Sequence, residues 1–408
     1  MVVKHLKEPL LEFGTGSHVD IRFGLMNLGP QDLGQSRRPE KIKIGVIGTA
    51  HSVEGCSKWI ERCAHEIPAK ESQKPNLFPY FPGFNEETTF RSSIALDSSL
   101  TQTLSPKDFC LKSEEPSYEE HIRHAAEAFQ AGIQSLAEKK PDVIFLAMPG
   151  ELLEVFAKAE KKLPTLLKNI KLEFHDLVKG LSMTSGVPIQ LIRPSTWGEK
   201  LKPKEKDEQS KLRSTQDEAT RAWNVLTALY YKAGGFPYRV PRPETAYDTC
   251  YVGVSFFVSP DKSKVQTSVA NVFNERGHGL AVKGKEAIIS KDDRQAHLKS
   301  ADAHDLLSQC LKAYRLEHKR PPARVVVHKT TRFSENERIG FLSAAEEASI
   351  DLCDLVSLTK SRTRLFRKGY FPPLRGTWLQ KSAESHSLYT RGSVDFYQNI
   401  QACIFPCL

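Results

Sequence analysis

Hydrophobic and polar positions alternate in two regimes along this chain, and the change falls near residue 240. In the first half, short apolar runs alternate with stretches of helical periodicity. Lys41–Gly48 reads as an apolar strand ending in small residues, and a helix-like stretch follows over residues 57–67. Residues 68–116, rich in Pro, Ser and Phe, read as a long excursion. Ser117 and Glu120 have capping-box spacing ahead of Ile122, Ala126, Phe129, Ile133 and Leu136, which recur at helical intervals and predict a helix. Residues 142–147 form a buried strand, 168–181 a second helix and 187–192 the next strand. A long helix over 215–233 is stopped by Gly234 and Gly235, and Pro237, Pro241 and Pro243 mark a boundary. This alternation predicts a parallel, Rossmann-like sheet with helices on its faces.

Beyond the boundary, residues 251–258 and 265–273 read as neighbouring strands, with a third near 279–282 and a helix over 302–317. A strand over 324–328, a helix over 334–348 opened by Ser334 and Glu337, and a strand over 350–355 follow. Strands near 362–366, 377–379 and 387–389 suggest a hairpin-rich edge. Three strands followed by a helix point to a mixed sheet. The expected organisation is an arm laid over a domain (1–40), a first domain (41–240) and a second (241–408). The chain shows no internal repeat.

The composition is that of a globular protein, 39% hydrophobic and 26% charged. No apolar run approaches the roughly 20 residues of a membrane span, and the N-terminus lacks a secretory signal, so a cytoplasmic protein is expected. The eight cysteines are scattered without paired zinc-site spacing and read as reduced thiols. Cys403 and Cys407 have no His or Cys pair nearby to complete a metal site. Lys plus Arg outnumber Asp plus Glu by 58 to 49, for a net charge of +9. That excess favours a polyanionic partner, because neutralising phosphates releases counterions. The same charge is found in proteins that bind no nucleic acid. The segment 200–213, dense in Lys and Glu, reads as a solvated loop.

His175 and Lys179 lie one helical turn apart and share a face. Asn224 and Lys232, eight residues apart, share a face of the later helix, and Gln190 sits on the strand between. Each has an ordinary alternative: a solvated helix face for the His–Lys pair, a satisfied backbone group for the glutamine. Their order resembles the MID domain of Argonaute proteins, in which a Tyr or His, a Lys one turn later, a Gln and a Lys before a helix end grip the guide's 5′-phosphate. The run from Ala222 to Tyr238 resembles short prokaryotic Argonautes in particular, although a family lysine four residues before the last one is Ala228 here. Such a donor set suits a dianionic phosphate in a partly desolvated pocket. The resemblance requires no cofactor, with Mg²⁺ at the guide phosphate as the one candidate ion.

The second domain resembles a PIWI domain with an RNase H-like fold. Such domains cut with two metal ions held by clustered carboxylates. Here the first strand, expected to end Gly-x-Asp, reads Gly253-Val254-Ser255, and Thr330 stands where a second Asp belongs. Neutral hydroxyls are poor Mg²⁺ anchors and the adjacent Lys329 repels cations, so no catalytic residue is expected. Asp248 lies too far back along the strand to substitute, and Asp351 and Asp354 read as solvent-facing or capping residues. Arg332, Arg362, Arg364, Arg367 and Lys368 are candidate contacts to a duplex backbone, with solvation as the alternative.

The resemblance covers almost the whole chain, including the arm, and ends in a C-terminus shorter than the family pattern, as if truncated. It implies a 5′-phosphorylated guide RNA, a target DNA, and an APAZ-containing partner carrying a TIR, sirtuin-like or nuclease effector in defence against plasmids or phage. The alternatives are a guided endonuclease with unconventional metal ligands, a degenerate truncated Argonaute, and a small-molecule enzyme at the Gly45-Val-Ile-Gly48 turn, which lacks a full GxGxxG.

Overall fold

The computed structural model of the chain describes residues 2–73, 75–111, 114–164, 171–199, 216–241, 247–258, 265–273, 279–282, 284–291, 293–361, 363–366, 368, 374–391 and 396. Of these, Leu10–Tyr238 with Phe396 make one compact unit, and the residues up to Pro9 with Arg239–Arg391 make the other.

The chain opens with β1 (Val2–His5), which pairs in the second unit, and continues with the hairpin β2 (Leu11–Glu12) and β3 (Ser17–His18) and the helix α1 (Ile21–Leu28). Asp20 caps α1 by accepting from the backbone N–H groups of Arg22 and Phe23. Leu25 is fully buried, and Gly24 lies so close to the Phe13 ring that a Cβ there would stand 2.1 Å from it. Residues 10–40 are therefore packed structure rather than an extended arm. The Gly and Pro breaks that hide this segment's periodicity are what let it fold back tightly.

The sheet of the first unit comprises β4 (Lys41–Gly48), β5 (Ser93–Thr103), β6 (Val143–Ala147) and β7 (Ile189–Ile192), in the order β5-β4-β6-β7 and parallel throughout. Every residue of β6 is buried, as expected of a strand covered on both faces. The helices are α2 (Ala50–Arg62), α3 (Tyr118–Ala137), α4 (Gly150–Lys161), α5 (Phe174–Ser182) and α6 (Glu218–Lys232). One apolar cluster joins α2 and α6 through Trp59, Trp223 and Tyr230, and a second joins α3 and α5 through Phe129, Ile133 and Phe174. Three expectations need correction. The span 68–116 contains β5, α2 begins at Ala50 because Thr49 caps it, and α4 had no counterpart in the pattern. The segment 200–213 lies outside the described residues.

The second unit contains β8 (Thr249–Val258), β9 (Val265–Phe273), β10 (Gly279–Val282), β11 (Glu286–Ile289) and β12 (Ala296–His297), then α7 (Ser300–His318), β13 (Arg324–Lys329), α8 (Glu335–Glu347) and β14 (Leu352–Ser357). The order is β12-β11-β9-β8-β13-β14, with β10 on β9; β8 runs antiparallel to β9 and parallel to β13. Cys250, Val252, Val254, Val325 and Val327 pack with Leu306, Leu307 and Phe341 of α7 and α8. A separate small sheet joins β1, β15 (Thr377–Gln380) and β16 (His386–Leu388). No strand forms over residues 363–366, and Arg362 lies outside the described residues. No helix of the described residues is long and apolar enough to cross a membrane.

Candidate functional site

A cavity of about 420 Å³ opens between α5, β7 and α6, and His175, Lys179, Gln190, Asn224 and Lys232 all line it. The helices place them there by simple periodicity. Val178 and Phe174 turn the apolar face of α5 into the core, leaving His175 and Lys179 exposed one turn apart. Tyr230, Leu226 and Trp223 anchor α6 in the same way and leave Asn224 and Lys232 to the cavity.

Lys232 is the most constrained of the five. Its Nζ donates to the Ile189 carbonyl at 2.7 Å and to Gln190 Oε1 at 2.5 Å. Burial, with the nearby positive charge of Lys179, pulls the Lys232 ammonium down to about 8. Gln190 in turn donates to the Leu191 carbonyl at 3.2 Å, His175 Nδ1 to Asp176 Oδ1 at 2.8 Å, and Asn224 Nδ2 to Gln216 Oε1 at 3.1 Å. Ala228, at the departure from the family pattern, is not among the lining residues.

Two cations absent from the sequence reading also line the cavity. Arg193 follows β7 directly, and Arg221 stands on α6 with its Nε donating to the Thr196 carbonyl at 3.1 Å and its Nη1 bonded to the Gln216 carbonyl. Their legible signal was position: ligands of open α/β sheets gather beyond the carboxyl ends of strands. The described lining thus includes Lys179, Arg193, Arg221 and Lys232 and no carboxylate. Chemically, such a lining suits an anion.

In the second unit, β8 and β13 pair with Val254 opposite Lys329. Ser255 follows Val254 within β8 and Thr330 follows Lys329 in the bend just past β13, so the two positions read as degenerate each lie one residue beyond the last described pair of these parallel strands. Thr330 is exposed and Ser255 half-buried. The other acids are engaged elsewhere. Asp354 takes Arg324 Nε at 2.7 Å and Nη2 at 2.5 Å, Asp248 pairs with Arg320 at 2.6 Å beyond the opposite end of β8, and Asp351 is exposed. Among the described residues, no group of three His, Cys, Asp or Glu side chains is placed to hold a metal ion. Arg332, Arg364 and Lys368 are exposed, whereas Arg362 and Arg367 lie outside the described residues.

Behind this centre lies a sealed polar cluster. Lys329 Nζ is 2.5 and 2.6 Å from the two Glu337 oxygens and donates to the Arg332 carbonyl at 2.9 Å. Glu337 also accepts from the backbone N–H groups of Leu298 and Ser334, and His297 Nδ1 lies 3.0 Å away. Burial disfavours the Glu337 charge, but these bonds outweigh it and hold the carboxyl below its usual range. Gly45–Gly48 forms the end of β4 rather than a loop after it, and Gly48 is closely packed. A Cβ on Gly48 would stand 2.4 Å from Ser52 Oγ and 2.5 Å from the Ala147 carbonyl oxygen, and Ser52 Oγ already donates to that carbonyl.

No family model and no curated protein matches this sequence. Solved structures do. Clostridium butyricum Argonaute bound to a guide DNA and a 19-mer target DNA superposes with a TM-score of 0.54 at 13% identity, over 92% of this chain and 43% of that one. Marinitoga piezophila Argonaute in complex with a 5′-hydroxyl guide RNA and target DNA gives 0.52 at 11%, over 96% and 49%. The chain has the MID–PIWI fold of Argonautes. Drosophila Piwi gives 0.50 at 12%, over 96% and 45%. The chain therefore spans less than half the length of these Argonaute structures. Its first unit is the Rossmann-like MID part of the fold and its second the RNase H-like PIWI part.

Proposed function

We propose that this chain holds the 5′-phosphorylated end of a guide strand in the MID cavity, presents the guide for pairing with a target, and does not cut it. The observation that carries the reading is the meeting of His175, Lys179, Gln190, Asn224 and Lys232 around one cavity whose described lining has no carboxylate. A terminal phosphate carries close to two negative charges near neutral pH. Lys179, exposed at the rim, meets it electrostatically, while Lys232, held by β7, offers a fixed donor deeper in. Arg332, Arg364 and Lys368 are the described candidates for contacts to the duplex backbone. Base pairing then supplies the sequence specificity.

The loss of cutting rests on Ser255 and Thr330, which carry hydroxyls where the resemblance expects the carboxylates of a two-metal centre. A module that senses without cutting requires an effector, and the reading assigns that role to an APAZ-containing partner with a TIR, sirtuin-like or nuclease activity. The pair would act in the cytoplasm against plasmids or phage, with RNA as guide and DNA as target.

The test is to sequence short nucleic acids that copurify with the chain and its genomic neighbour, for wild type and for Lys179→Ala/Lys232→Ala. Wild type should retain short 5′-phosphorylated strands and the double variant should lose them. Equal recovery from both removes the assigned pocket. Cleavage of a paired target in Mg²⁺ or Mn²⁺ would remove the inactive assignment.

A further inference from the structure

The described donor set of the MID cavity does not suit a divalent cation. Mg²⁺ binds through oxygen ligands, usually with at least one carboxylate, and retains several waters. Here the described lining has no carboxylate, and three of its neutral oxygens already accept: Gln190 Oε1 from Lys232, Gln216 Oε1 from Asn224, and the Thr196 carbonyl from Arg221. Four cationic side chains around the same volume would repel a further cation.

Lys179 and Arg193, both exposed, stand apart within this set, and of the two only Arg193 carries a guanidinium. Arg221 is spent on bracing the turn after β7, and Lys232 on β7 itself. Arg193 is exposed at the mouth of the cavity, and among the described residues no hydrogen bond or ion pair engages its guanidinium. A planar guanidinium can meet two phosphate oxygens at once through parallel N–H donors, which an ammonium cannot do. We infer that the pocket meets the terminal phosphate without a divalent ion, and that Arg193 supplies the charge and bidentate geometry that set the preference for a phosphorylated over a hydroxyl end. This rests on the guide-binding reading and adds to it a determinant of end chemistry.

The experiment measures, by fluorescence anisotropy, the affinity of the full chain for one short RNA carrying either a 5′-phosphate or a 5′-hydroxyl. Buffers contain Mg²⁺ or EDTA at matched ionic strength. The expected phosphate preference of wild type is the same in both buffers to within about twofold, and Arg193→Ala lowers it by roughly tenfold in both. Arg193→Lys should recover only part of the preference, because it restores charge without the fork. The side chain is exposed, so all variants should melt together. A wild-type preference that collapses in EDTA overturns the inference, as does a preference untouched by Arg193→Ala; both leave the guide-end reading intact. Wild type without any phosphate preference in either buffer overturns the guide-end reading and this inference with it.

Discussion

Lys232 ties the last turn of α6 to β7, its ammonium standing between the Ile189 carbonyl and the side-chain oxygen of Gln190. A lysine so placed keeps its orientation but gives up much of its hydration, which is why its proton is lost near pH 8 rather than at the usual 10.5. A bound phosphate restores the proton. The free pocket then deprotonates before the complex does, so affinity is greatest below about pH 8 and falls as pH rises through it, by up to about tenfold per unit. The expected decline is confined to 5′-phosphorylated guides. Binding titrations from about pH 6.5 to 9.5 with both guide ends check this, and equal slopes for the two would contradict it.

In the PIWI part, Lys329 is 1% exposed and Glu337 is fully buried. Replacing Lys329 by Met leaves a buried carboxylate without its cation, an expected loss of about 3–5 kcal/mol. Lys329→Met/Glu337→Gln should recover part of that loss, since the stranded charge is gone and the amide oxygen still accepts from one of the Ser334 and Leu298 backbone N–H groups. Urea unfolding of the three proteins decides it. A double variant no more stable than Lys329→Met would show that the charge is not the source.

Ser255 and Thr330, each one residue beyond the pair Val254 and Lys329, offer a test of the inactive-centre reading by substitution. Neighbouring strands lie about 4.8 Å apart, so if the register continues by one residue, carboxylates at both positions come within reach of one ion. The expected outcome for Ser255→Asp/Thr330→Asp is a rise in melting temperature with Mn²⁺, worth about 2.7 kcal/mol at a hundredfold excess over the dissociation constant. Wild type should show no such rise. An unchanged melt in the double variant would mean the two side chains do not converge.

α1 offers a test of packing density. Gly24→Ala would drive a methyl group into the Phe13 ring, and overpacking of this kind costs about 1–3 kcal/mol. Thermal unfolding should show the loss, and Gly24→Ala/Phe13→Leu should regain part of it.

Much of this was legible residue by residue, because the signals were local. The capping boxes at Ser117 with Glu120 and at Ser334 with Glu337 form as their spacing implies. The five-residue apolar run of β6 is fully buried. β5 escaped because an edge strand tolerates Asp97, Ser98 and Ser99, and α4 because Pro149 supplies no side-chain cap. The pocket residues could be proposed from order and resemblance, but Arg193 could not, since an arginine after a strand looks like any solvated residue until the walls around it are known. The pairing of β8 with β13, which sets Val254 opposite Lys329, depends on strand order and register, which no local pattern encodes.

Asp32 accepts from the Tyr230 hydroxyl at 2.7 Å and from the Phe236 backbone N–H at 2.8 Å, while itself only 2% exposed. Tyr230 is two residues from Lys232. A fragment trimmed to begin at the first strand of the Rossmann-like sheet would retain every side chain of the anion pocket, yet discard the carboxylate that pins the helix end carrying its deepest lysine. On the proposed reading, the smallest fragment able to hold a guide end starts well upstream of the sheet, and a segment that never meets the phosphate helps set how tightly it is held.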